Sequence, residues 1–307
     1  MKRSARPVTL FALMIGLCFQ AYADPTETLP ADVLGELRGP VHLLDTLSHS
    51  KLGPLEKRAW LERPPKLMPP PKIVYRGDKR SPDEIRAIGG FLPSSEVEPT
   101  NDNHGFSLFK HHVAGNAGGK RVTAYVSTTR FFQIGLAYAN MASDEGGWIY
   151  QIQATPNMID SDGTLLKGRR YSNEFELSAL GGIPWAQVKA AVKIGPGMQG
   201  PSYYKPGATT WNKITWEDFQ KTFPDKQWVE NKDYNSAFDR FKASLGQPQL
   251  AGWFDKDHEE YKSQCPWNLT QLQTIQEYYM DFMNQVGEPV GWTGTYPLVL
   301  TKGRTAA

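Results

Sequence analysis

The chain is short of cysteine. Cys18 and Cys265 are the only two in 307 residues, and Cys18 lies in an N-terminal stretch that export would remove. What remains has no pair to form an internal disulfide, so its core is expected to hold by packing alone. Long apolar runs are absent beyond that stretch, which leaves no candidate for a membrane-spanning helix. Excess charge is absent too. The formal charge is +2; without residues 1–23 it becomes −1, because 31 basic residues then face 32 acidic ones. A chain this close to neutral has no whole-protein attraction for nucleic acid or an anionic membrane. No Gly-x-Gly-x-x-Gly turn follows an expected strand, which excludes a Rossmann-type phosphate turn. Histidine is scarce at six. The adjacent pair His111 and His112 would point to opposite faces of a strand, so no metal site is expected.

What is present has a clear order. Lys2, Arg3 and Arg6 precede an apolar run over 8–19, and Ala21-Tyr22-Ala23 gives a small-x-small cleavage pattern. Residues 1–23 therefore read as a secretory signal peptide and the product as a secreted protein. Residues 24–72 read as a leader or propeptide. It closes on Pro64-Pro65-Lys66-Leu67-Met68-Pro69-Pro70-Pro71, whose five prolines favour a semi-rigid connector. A core domain is expected over 73–207 and a helical region over 208–307.

Within the core, Ile73-Val74-Tyr75 reads as a strand. Ser81-Pro82-Asp83-Glu84 starts a helix that Gly89-Gly90 should end. Residues 99–121 read as a loop and 161–163 as a turn. Further strands are expected at 122–127, 148–155, 174–180 and 188–194, and a polar loop at 168–173. Phe131, Ile134, Tyr138 and Met141 would share the apolar face of an intervening helix. Helices are also expected from Thr215 to Thr222, over 234–245 and over 269–286. The last carries Leu269, Leu272, Ile275, Tyr279, Phe282 and Val286 in an amphipathic stripe. Six tryptophans between Trp211 and Trp292 read as core packing. Short strands with few helices point to an α+β fold, not a doubly wound parallel sheet.

Three distant segments carry the chemistry: Tyr75-Arg76-Gly77-Asp78, Tyr125-Val126-Ser127-Thr128-Thr129 and Glu174-Phe175-Glu176-Leu177-Ser178. Residues two apart on a strand share a face, so Glu174 and Glu176 would sit side by side. Two carboxylates in one pocket suit a reaction that builds positive charge on a sugar carbon.

These segments resemble the catalytic chains of cholera toxin and heat-labile enterotoxin. The likeness runs from Tyr75-Arg76-Gly77-Asp78 through the Ser127-Thr128-Thr129 strand and Ala154-Thr155-Pro156-Asn157-Met158. It is closest at Glu174-x-Glu176 followed by Ser178-Ala179-Leu180-Gly181-Gly182-Ile183-Pro184, and covers about 73–195. The resemblance implies a split β-sandwich ADP-ribosyltransferase core around an NAD cleft. It implies mono-ADP-ribosyltransferase activity that takes NAD as substrate and an arginine of a host protein as acceptor. By the same resemblance Glu176 bonds the 2′-hydroxyl of the nicotinamide ribose, and Glu174 positions the acceptor and helps take its proton. Arg76 would grip the pyrophosphate or brace the adjacent strand. Gly77 would let backbone approach the ligand, and Asp78 would receive the adenine-ribose side. His111 corresponds to a family active-site histidine, Ser127 would hold the catalytic carboxylate, and Thr128 would line the cleft. Thr129 stands where relatives have serine, and its hydroxyl could cap the following helix.

The toxins' disulfide-bounded cleavable loop cannot be copied with Cys265 alone, so a pentamer-threading tail is not expected. Stand-alone secreted proteins of the kind found in fungi fit the long leader better. Two other classes compete. A glycoside hydrolase could use the same carboxylates, which adjacent same-face strand positions hold roughly 5–7 Å apart. It would leave Arg76 and the Ser-Thr strand without a role. A non-enzymatic binder could use the Trp-rich C-terminal half.

Overall fold

A computed structural model describes residues 68–112, 116–117, 120–141, 143–165, 174–198, 214–252 and 273–301. The expected signal peptide, nearly all of the leader, the polar loop at 168–173, Cys265, Leu269 and Leu272 lie outside these residues. The chain opens with β1 (Ile73–Asp78), α1 (Pro82–Ala87) and β2 (Gly90–Phe91), then α2 (Leu108–His112), β3 (Asn116–Ala117) and β4 (Lys120–Arg121). Next come β5 (Tyr125–Thr129), α3 (Phe132–Met141), β6 (Gly147–Gln153), β7 (Met158–Asp160) and α4 (Ser161–Leu165). They are followed by β8 (Glu176–Leu180), β9 (Ile183–Pro184), β10 (Val188–Ile194), α5 (Trp216–Thr222), β11 (Val229–Glu230) and α6 (Ile275–Val286).

The principal sheet has seven antiparallel strands in the order β11-β10-β6-β1-β5-β8-β7. With helices on a large antiparallel sheet, the fold is α+β. β1 runs beside β6 through six registered residues but touches β5 only at Tyr75↔Thr129. The sheet therefore opens between β1 and β5, and the functional side chains gather at that split.

Local signals explain the boundaries. The α1 capping box is complete: Ser81 accepts from the Glu84 N–H, and Glu84 accepts from the Ser81 N–H at 2.7 Å. Thr215 and Thr274 cap α5 and α6 in the same way. β8 is buried at all five positions, as an interior strand between β5 and β7 requires.

Several sequence expectations shift. The loop expected over 99–121 contains helix α2, and the turn at 161–163 is helix α4. The helix expected over 234–245 is a short 3-10 turn, Ser236–Arg240. β5 runs two residues beyond its expected end. The strand expected from 174 begins at Glu176, because Phe175 has φ 48° and breaks the extended run. On α3 the expected apolar face is the wrong one. Phe132, Gly135, Leu136 and Ala139 are buried, whereas Tyr138 is 37% and Met141 44% exposed.

Gly77 explains that rotation. A Cβ placed there would lie 2.5 Å from the Gly135 carbonyl oxygen and meet the Ala139 nitrogen as well. α3 thus seats its smallest residues against β1, and close backbone approach decides which face turns inward. The glycine, expected from sequence to allow ligand approach, serves helix packing in this structure. Gly77→Ala should cost about 1–3 kcal/mol, since the opposing atoms are backbone and cannot swing away. Urea unfolding measures this, and an unchanged midpoint would refute the packing role.

The described residues of the C-terminal region pack into the main body of the fold. Phe238, Leu250, Tyr279, Phe282, Met283 and Leu298 share one core with Phe106, Leu108, Phe109, Tyr125 and Leu180. The segment before α2 is tied to it as well. The Ser107 hydroxyl donates toward the Ala251 and Gly252 carbonyls at 3.1 and 2.9 Å, and Phe109 N–H donates to Ala251 O at 2.9 Å. Trp216 and Trp228 pack with Phe132, Phe219 and Tyr75, so these two tryptophans are half-buried against the edge of the core.

Candidate active site

β5 and β8 pair Thr129 with Glu176, Thr128 with Leu177 and Ser127 with Ser178. Cross-strand partners share a face and neighbours alternate, so Ser127, Thr129, Glu176 and Ser178 look one way. Thr128 looks the other way and donates to Leu177 O at 2.7 Å. It does not line the face that carries Glu176, contrary to the sequence expectation. Thr129 occupies that face instead. Its hydroxyl donates to Glu174 O at 2.7 Å and accepts from the Phe131 N–H just ahead of α3.

Glu176 is 7% exposed and tightly held. Its Oε1 accepts from the Ser178 hydroxyl at 2.6 Å and lies 3.1 Å from His111 Nε2; its Oε2 lies 3.3 Å from His112 Nε2. Burial works against the charge and pushes the carboxyl up. His112 and His111 and the Ser178 hydroxyl outweigh burial and hold it well below the usual carboxylate range. His112 itself is pushed down by burial despite the neighbouring Glu176, which favours neutral imidazole. A neutral ring still presents an N–H, so the ionised state of Glu176 rests most securely on the hydrogen bonds from His111 and Ser178.

Ser127 does not touch the carboxylate as expected. Its Oγ lies 2.9 Å from His111 Nε2, the nitrogen that also faces Glu176, and His111 Nδ1 lies 2.7 Å from Thr123 Oγ1. Ser127 therefore acts through the imidazole, and Ser178 is the hydroxyl on the acid. In the sequence Ser178 stands only in the flank of the Glu174-x-Glu176 match, though its spacing from Glu176 on one strand places both on the same face. The resemblance assigns a role to His111 and none to His112. On a short helix both rings reach Glu176, one to each oxygen, a convergence that strand alternation could not anticipate.

Glu174 sits in the loop before β8, half-buried. It is not on a neighbouring rung of the strand, but it still senses Glu176. Burial first, then the Glu176 charge, push its carboxyl up to about 7, while a hydrogen bond from Tyr138 works the other way. The Tyr138 hydroxyl donates to Glu174 Oε1 at 2.6 Å.

Across the split, Arg76 Nη1 donates to Ser127 O at 2.7 Å, and its Nε and Nη2 donate to Asp78 Oδ2 at 3.2 and 3.1 Å. Arg80 adds three bonds to Asp78: backbone N–H and Nε to Oδ1, and Nη2 to Oδ2. Burial would raise the Asp78 carboxyl, yet Arg80 and Arg76 hold it well below its ordinary range. The Asp78 carboxylate, expected from sequence to face the adenine-ribose side, is engaged here by Arg76 and Arg80. Arg76 is a brace between β1 and β5, and these bonds engage three of the five N–H groups of its guanidinium.

Residues 71–284, more than half of the chain, match the family model described as heat-labile enterotoxin alpha chain. Heat-labile enterotoxin IIA A chain of Escherichia coli is 37% identical over 123 residues, 37% of this chain and 46% of that one. NAD(+)--arginine ADP-ribosyltransferase Chelt of Vibrio cholerae is 35% identical over 121 residues, 37% of this chain and 20% of that one. A solved heat-labile enterotoxin double mutant aligns at 22% identity over 71% of this chain and 92% of that chain, with a TM-score of 0.49. The chain spans less than half the length of these two curated relatives. Both come from bacteria, and a fungal-type affiliation draws no support from them. By the family match, this chain is a member of the heat-labile enterotoxin alpha chain family.

Proposed function

We propose that this chain is a secreted mono-ADP-ribosyltransferase that splits NAD and transfers ADP-ribose to an arginine of a host protein. The observation that carries the reading is Glu176, a buried carboxylate held ionised by His111 and Ser178 beside an arginine-braced split in the sheet. Kinship with enterotoxin A chains and an arginine ADP-ribosyltransferase supports it. So does the chemistry. When the bond between nicotinamide and ribose breaks, nicotinamide leaves with the electron pair and positive charge develops on the sugar carbon. A fixed, preorganised carboxylate at that carbon lowers the barrier. The Arg76 guanidinium suits the pyrophosphate.

The acceptor side falls to Glu174. An arginine nitrogen forms the new bond to the sugar carbon while one of its protons passes to Glu174, and the transferred guanidinium stays cationic. A base must be ionised to accept that proton. Since Glu174 is pushed up to about 7, transfer should climb as pH rises through neutrality and fall away below it. Glu174→Ala should lose transfer by about 10²-fold, a larger loss than in NAD hydrolysis, where water replaces the guanidinium. The assay is full-length protein with labelled NAD and an arginine-rich acceptor, with released nicotinamide counted in parallel. Equal losses in both reactions would remove Glu174 from the acceptor side. Biotinylated NAD with a host-cell lysate then shows which proteins are modified.

A further inference from the structure

Phe175 holds φ 48°, a backbone region that a bulky L residue keeps only where its surroundings enforce it. The segment entering α3 supplies that enforcement. Thr129 donates to Glu174 O at 2.7 Å, and Arg130 N–H donates to Phe175 O at 3.3 Å. The Phe131 and Phe175 rings meet edge-on at 4.9 Å. Together these contacts turn Glu174 off the strand and toward α3, where the Tyr138 hydroxyl meets Oε1 at 2.6 Å. Tyr138 is 37% exposed, so its ring borders the surface from which an acceptor must come.

We infer, on the reading of Glu174 as the acceptor-side base, that Tyr138 is a positioning residue for transfer to arginine. Its hydroxyl fixes Glu174 Oε1, which leaves Oε2 aimed at the incoming guanidinium. The electrostatics agree with the geometry. Among the described residues, the groups that act on Glu174 are Glu176 on β8, Asp162 on α4 and Tyr138 on α3. The two acids disfavour its charge and the phenol favours it.

Tyr138→Phe keeps the ring and deletes the hydroxyl. The Glu174 carboxyl, followed by carbon NMR, should then titrate about half a unit to one unit higher, the equivalent of one ordinary hydrogen bond. The acid limb of the transfer profile should move up with it, and transfer at pH 7 should fall roughly two- to fivefold. Nicotinamide release to water should fall less than transfer does. In a Glu174→Gln background the same change should have no further effect on transfer. An unmoved titration and profile, or an equal loss in both backgrounds, overturns the inference. A wild-type protein that releases no nicotinamide from NAD overturns the underlying reading of the site, and the inference with it.

Discussion

Tyr279→Ala is expected to destabilise the protein by about 3–5 kcal/mol, in the range for deleting a large buried aromatic side chain. Tyr279 is fully buried in α6. Its ring lies 4.8 Å from Phe106, 5.9 Å from Tyr125 and 6.1 Å from Tyr296, all edge-on. Its hydroxyl donates to Ala124 O at 3.2 Å, but that oxygen also accepts from Gly181 N–H at 3.1 Å. Losing the hydroxyl alone therefore strands nothing, and Tyr279→Phe should cost only about 1 kcal/mol. The gap between the two variants isolates ring packing from hydrogen bonding. The consequence reaches the site. Tyr125, which packs on Tyr279, also lies against the His111 ring at 5.5 Å. The loss in denaturant midpoint for the alanine variant should be several times that for phenylalanine. Similar losses, or a near-neutral alanine variant, would show that α6 is not part of the support for β5.

Much of the fold was legible because it rests on short-range signals. The Ser81–Glu84 box fixed the start of α1, and the run 188–194 matches β10 at both ends. The flanks of Glu176 also show its place on a strand. What failed depends on partners distant in sequence. Thr128 was expected in the cleft, but pairing with β8 sets the face of every β5 residue, and a shift of one position reverses it. The apolar stripe on α3 pointed to Tyr138 and Met141; the helix instead buries Gly135 and Ala139, because Gly77 allows backbones to meet. Ser127 reaches Glu176 only through His111, which arrives from α2. Glu174 was placed on the strand because nothing in Glu174-Phe175-Glu176 announces a left-handed phenylalanine. Tyr138 was visible as a helix residue, yet its partner lies 36 positions away and no local spacing connects them.

The central claim is that Glu176 meets the sugar carbon as nicotinamide leaves. Glu176→Gln tests it with the least change of shape. The amide keeps the size of the side chain but loses the charge. It also turns one acceptor into a donor among His111, His112 and Ser178, which already present donors. Transition-state stabilisation from a preorganised charge should vanish, with a loss of roughly 10²–10³-fold. Removing a buried charge need not unfold the chain, so a thermal melt close to wild type is the control. The decisive measurement is nicotinamide release from NAD by the full-length Glu176→Gln variant beside wild type, at equal concentration of folded protein. Release by wild type with near-background release by the variant is the expected result. A folded variant that releases nicotinamide at the wild-type rate would contradict the account.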